Sequence, residues 1–211
     1  MLGVTAFTLI SSIFNYSLIK SIASGEPYTL TEASANDLRE AIVYFFQGVL
    51  YILCGIFFIM WFRRAYYNLH QKVSYLSFSE GWAAGAWFVP FINLWRPFRI
   101  MKELYQETPP LLKKNNFDFE EPSLTYPAIW WTLYILSAFF GAFIWSYSRN
   151  AFTLDQFTTV ALMQVIANTI EIPLILVTIK VIKDYAKIEP LLHEIKEEVE
   201  QPPIAEIATE G

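Results

Sequence analysis

Four long stretches with no charge, or only one, dominate what this chain can fold into. Residues 2–19, 41–62 and 123–148 contain no Asp, Glu, Lys or Arg, and residues 157–179 contain one, Glu171. An α-helix rises about 1.5 Å per residue and a bilayer core is about 30 Å thick, so roughly 20 mostly apolar residues suffice to cross it. The expected fold class is therefore all-α, a polytopic membrane protein with four transmembrane helices. Composition excludes the main alternatives. Only 17% of the 211 residues are charged and 55% are hydrophobic, which is wrong for a disordered chain; Cys54 alone cannot build a disulfide framework. A net charge of -5 argues against a nucleic-acid partner.

Ser21-Ile22-Ala23 resembles a signal-peptide cleavage site, yet residues 1–19 lack the basic stretch that precedes such a signal, so an uncleaved span is expected. Basic residues flanking spans stay on the cytoplasmic side. With both termini cytoplasmic, Lys20, Arg39 and Arg149 fall outside and the other twelve Lys and Arg fall inside. The expected location is the cell inner (plasma) membrane.

Residues 81–95 are uncharged but would reach only about 22 Å as one helix. A single crossing would also set Arg63, Arg64 and Lys72 on the opposite side from Arg96, Arg99 and Lys102, so a re-entrant or interfacial helix-break-helix over 78–106 is expected. Ser77 and Glu80 have the spacing of a capping box, and Pro90 should end or kink the helix that starts there. A second helix over about 97–106 sets Phe98, Met101, Leu104 and Tyr105 against Arg99, Lys102, Glu103 and Gln106, an interfacial amphipathic pattern.

Trp61 to Leu69 (WFRRAYYNL), Gly81-Trp82, Trp87 to Pro97 (WFVPFINLWRP) and Glu103-Leu104 resemble the bacterial domain-of-unknown-function 4328 family. The resemblance is close over about residues 45–105, and Trp130-Trp131 also look family-like. It implies a multi-pass membrane domain without an assigned activity. The positions that match its motif are Trp61, Arg64, Asn68, Trp87, Pro90, Asn93, Leu94, Pro97 and Glu103. They are either determinants of the fold or a shared binding surface.

Gln164, Asn168 and Glu171 fall on one face of the fourth span, and Thr178 continues that line. A carboxylate at mid-span costs roughly 2.5 to 3.5 kcal/mol unless it is paired, hydrated or protonated. Gln47, Asn15 and Asn93 are its candidate partners, and Pro173 should kink the helix beside it. The stripe is either a seam between helices or an ion, proton or solute site.

The sequence contains neither a phosphate-binding glycine loop nor a metalloprotease or nucleophile-elbow motif, and His70 and His193 with one cysteine make no recognisable zinc site. No enzyme, cofactor or metal is expected. The acidic cytoplasmic tail, residues 186–211, carries Leu191, Leu192, Ile195 and Val199 at helical spacing before Pro202-Pro203. Two functions remain. One is a non-enzymatic scaffold or interaction protein whose basic aromatic cytoplasmic face, Arg63, Arg64, Lys72, Arg96, Arg99 and Lys102, meets anionic lipid headgroups and a protein partner or second copy. The other is a small transporter or channel subunit with a polar site around Glu171.

Overall fold

The computed structural model describes residues 1–195. Its helices are α1 (Leu2–Ala23), α2 (Leu30–His70), α3 (Trp82–Gly85), α4 (Arg96–Lys114), α5 (Thr125–Ser148), α6 (Leu154–Ile188) and α7 (Leu191–Glu194), with a 3₁₀ turn at Ile92–Leu94 before α4. Among the described residues there is no strand. Four helices, α1, α2, α5 and the run from α6 through α7, are long and apolar enough to cross a membrane. They alternate in direction. Short loops join α1 to α2 and α5 to α6 at one end; at the other, residues 71–124 carry α3 and α4.

Two of the helices outgrow the apolar stretches. With 41 residues α2 is about 61 Å long, and α6 with 35 is about 52 Å, both well beyond a bilayer core. Each starts at a capping box. Thr29 accepts from the Glu32 N–H at 3.1 Å while the Glu32 carboxylate accepts from the Thr29 N–H at 2.9 Å. Thr153 and Gln156 repeat the arrangement at α6. The helix α6 continues through Pro173 to Ile188.

The expected capping box at Ser77 and Glu80 does not form. The short α3 begins after Gly81 without a side-chain cap. The Ser77 N–H donates instead to Glu103 at 3.3 Å, and Glu80 lies 3.9 Å from Arg63. The helix expected to run to Pro90 ends earlier, at Gly85, so Trp87 and Phe88 lie in turns before the proline, and Phe91 after it takes a positive φ of 64°, a conformation unfavourable for a bulky side chain. Both flanks of the break meet the same end of α2: the Tyr66 hydroxyl donates to Glu103 of α4 at 2.5 Å, and its oxygen lies 3.1 Å from the Phe78 carbonyl.

The helix α4 is longer than its sequence suggests, running through Pro109 and Pro110 to Lys114. Packing outweighs the helix-breaking tendency, because Thr108, Pro109 and Leu112 are buried and Thr108 is hydrogen-bonded to Tyr185 at 3.1 Å. Its apolar face is not laid on lipid. Ile100, Met101 and Leu104 are fully buried among Phe62, Tyr66 and Leu69 of α2 and Val181, Tyr185 and Ile188 of α6. Apolar side chains gain from leaving water. The dense core therefore lies at the α4 end, where helices outgrow the apolar slab and burial in protein has that driving force. Leu192 of α7 enters the same core. The rest of the expected amphipathic tail, including Val199, lies outside the described residues.

Candidate functional site

The membrane-depth polar residues come from four helices, α1, α2, α5 and α6. The inner face of α1 reads Thr5, Thr8, Ser12 and Asn15, spaced three, four and three, and all four are buried. That spacing is one helix face, and α6 packs along α1 more extensively than any other pair of helices. Asn168 of α6 donates to Ser12 at 3.2 Å and to Tyr44 of α2 at 3.4 Å. Gln47, one turn beyond Tyr44, donates to Glu171 at 2.8 Å. Of the three expected partners for Glu171, Gln47 is the one found. Asn15 accepts from Asn36 instead, at 2.8 Å, Thr178 hydrogen-bonds the Leu174 carbonyl of its own helix, and the Asn93 side chain forms no hydrogen bond among the described residues.

The stripe faces two cavities. Gln164 lines one of about 310 Å³ together with Asn15, Asp37, Glu40 and Tyr44. Asn168 and Glu171 line another of about 350 Å³ with Tyr51, Tyr134 and Ser137. The sequence reading missed Tyr44, Tyr51, Tyr134 and Ser137. Tyr44, Gln47 and Tyr51 fall three and four apart, so the same face rule that found the α6 stripe would have found this one.

Of the motif residues Pro97 is buried, Trp61, Asn68, Trp87, Asn93 and Glu103 are half-buried, and Arg64, Pro90 and Leu94 are exposed. Glu189, nearly buried, accepts from Asn68 at 2.8 Å and lies 3.4 Å from Arg64. Glu103 binds Tyr66 and the Ser77 N–H. Trp87 is an aromatic hub: its ring lies 5.6 to 6.3 Å from those of Phe58, Phe62, Trp130, Trp131 and Tyr134. Trp61 packs on Phe58 and edge-on to Tyr185. Pro97 is buried in the first turn of α4, where its missing N–H costs nothing. Tyr105, buried in α4, donates to the Val181 carbonyl at 2.7 Å, and burial pushes its phenol well above the ordinary range.

The six expected basic residues do not form one uniform patch. Arg63 and Arg64 have acidic neighbours but keep most of their side chains in the open, 60% and 65% exposed. Lys72 donates to the Ile195 carbonyl. Arg96 lies 3.9 Å over Trp82 and 5.0 Å from the Trp95 ring centre, a cation held by aromatic faces. Arg99 lies 4.9 Å over Trp95, and Arg99 and Lys102 are both exposed and have no acidic partner among the described residues. Beside them the break presents an apolar tip: Phe88 is 75% exposed and Phe91 80%, with Leu94 and Trp95 also open. No group of His, Cys, Asp and Glu able to hold a metal occurs among the described residues.

Residues 26–187 match the family model described as Domain of unknown function (DUF4328). No curated protein and no solved structure matches the chain.

Proposed function

Since the chain belongs to the domain-of-unknown-function 4328 family, whose description carries no activity, we propose from its geometry that it is a non-enzymatic interaction protein of the membrane whose α4 end engages anionic lipid headgroups. One observation carries this reading: Phe88, Phe91, Leu94 and Trp95 are exposed, Arg96 and Arg99 lie over the Trp95 ring, and Lys102 is exposed one turn further along α4. An apolar tip of this kind is most favourable within lipid, and a guanidinium stacked on tryptophan suits the headgroup layer above it. Basic residues near such a surface add about 1 kcal/mol each to attraction for anionic lipid. Eleven of the fourteen described Lys and Arg fall on this side of the spans, which supports a cytoplasmic α4 end; the membrane proposed is the bacterial inner membrane, with both termini cytoplasmic.

Most of the family-motif residues fit this reading as the frame, while Pro90 and Leu94 are exposed at the tip itself. Arg64, Asn68 and Glu189 tie α2 to the segment between α6 and α7, and Trp87 ties the break to α5, so the tip is held on a rigid base. The full chain released from detergent in a native mass spectrometer is expected to retain anionic lipid in preference to zwitterionic lipid of the same chain length. Arg99→Gln with Lys102→Gln, both at exposed positions, should abolish the preference. Equal retention of the two lipids by the unaltered chain would refute the reading.

A further inference from the structure

The cleft between α2 and α5 holds Glu171 with no cation beside it among the described residues: no Lys or Arg lines the cavity, and the carboxylate takes part in no ion pair. Gln47 donates to Oε2, and no described residue donates to Oε1. The neighbouring polar atoms left over are also oxygens. Asn168 commits its Nδ2 to Ser12 and Tyr44, which leaves Oδ1. The Ser137 Oγ is buried without a hydrogen-bond partner among the described residues. This is unusual in its own helix pair, where Thr132 and Thr178 each donate to the carbonyl four residues earlier, at 2.9 and 2.7 Å.

A carboxylate at membrane depth needs a positive partner or a proton. A proton on Glu171 would neutralise it and supply one donor, enough for one of the Ser137 and Asn168 oxygens, whereas a hard cation takes several oxygen ligands at once. Charge then selects its valence. One carboxylate balances one positive charge, and a divalent ion would leave an excess charge in apolar surroundings, at a further desolvation cost. We infer that the cavity bounded by Glu171, Asn168, Ser137, Tyr51 and Tyr134 is a binding site for a monovalent alkali cation.

The surroundings give the site one polar approach. The cavity holding Asp37 and Glu40 lies in series with it along α6, separated by the Tyr44–Asn168 hydrogen bond, since Tyr44 lines the first cavity and Asn168 the second. Toward the α4 end, Tyr134 stacks on Trp130 and Trp131 and meets Trp87 edge-on, a block of aromatic rings. The site is thus a cation pocket reached from one side, not the middle of an open pore.

The test uses the full chain in nanodiscs of zwitterionic lipid, so that headgroup binding at the α4 end does not contribute. Thermal unfolding is followed while sodium or potassium chloride replaces choline chloride at constant ionic strength and pH. At least one alkali cation should raise the unfolding temperature saturably above choline. Glu171→Gln should abolish the rise. Ser137→Ala, which removes a hydroxyl with no hydrogen-bond partner among the described residues and so should leave the fold intact, should raise the half-saturating concentration about tenfold, the effect of losing one polar contact to a charge. Identical curves in sodium, potassium and choline, or a response to pH alone, would overturn the inference. So would half-saturation unchanged in Ser137→Ala.

Discussion

Replacing Asn68 by Ala should destabilise the α4 end by an amount the structure allows to be worked out. Glu189 is almost fully buried, with 7% of its side chain exposed, and its two partners differ in kind. Asn68 donates to it at 2.8 Å, whereas Arg64 lies 3.4 Å away with 65% of its own side chain in solvent, where an ion pair is screened. Losing a hydrogen bond to a buried charge costs about 1.5 to 3 kcal/mol, and losing a mostly exposed ion pair about 0 to 1 kcal/mol. For a chain of this length 1 kcal/mol corresponds to about 2 to 4 °C in midpoint, so Asn68→Ala should lower it by about 3 to 12 °C and Arg64→Ala by at most about 4 °C. The assay is thermal unfolding in one detergent, with the double variant included to close the cycle. A larger loss from Arg64→Ala than from Asn68→Ala would refute the reasoning, because it would make the exposed ion pair, not the buried hydrogen bond, the tie that holds Glu189.

Three further outcomes are expected at the same end and at the helix starts. Trp87→Ala removes the ring on which five others converge and should cost about 3 to 5 kcal/mol, read as a lower unfolding midpoint together with loss of the near-ultraviolet circular dichroism of the cluster. Thr153→Ala should cost about 1 kcal/mol by uncapping α6, whereas Ser77→Ala should be neutral within about 0.5 kcal/mol, since Ser77 caps nothing; equal losses in the two would contradict the structure. Tyr105 has a folded-state pKa raised by burial, so it adds stability that is intact below the ordinary tyrosine range and declines as pH rises beyond about 10. Tyr105→Phe should therefore be less stable at neutral pH, through the lost bond to Val181, yet show a shallower alkaline decline in its unfolding midpoint.

The spans were legible because a run of about 20 residues without charge is what a bilayer core demands of a helix and little else does. The stripe from Gln164 to Glu171 was legible because helix periodicity is rigid. Helix ends were harder. Thr29-x-x-Glu32 and Thr153-x-x-Gln156 carry the same capping pattern as Ser77-x-x-Glu80, yet only the first two form. The difference is tertiary: Glu103, distant in sequence, takes the Ser77 N–H, and Arg63 lies near Glu80. Pro109-Pro110 misleads in the same way, because α4 is held by its buried face against α2 and α6 rather than by local propensity. The basic residues were found as a group, but their division into aromatic-held Arg96, acid-paired Arg63 and Arg64, and open Arg99 and Lys102 depends on neighbours far along the chain.

Headgroup engagement at the α4 end is tested most directly by titrating anionic lipid into the detergent-solubilised full chain and following tryptophan fluorescence, with Trp95 under Arg99 as a nearby reporter. Affinity should exceed that for zwitterionic lipid, fall with salt, and drop about 30-fold in Arg99→Gln with Lys102→Gln, the equivalent of about 1 kcal/mol per basic residue. An affinity that is equal for the two lipids, or unmoved by salt and by both substitutions, would contradict the account.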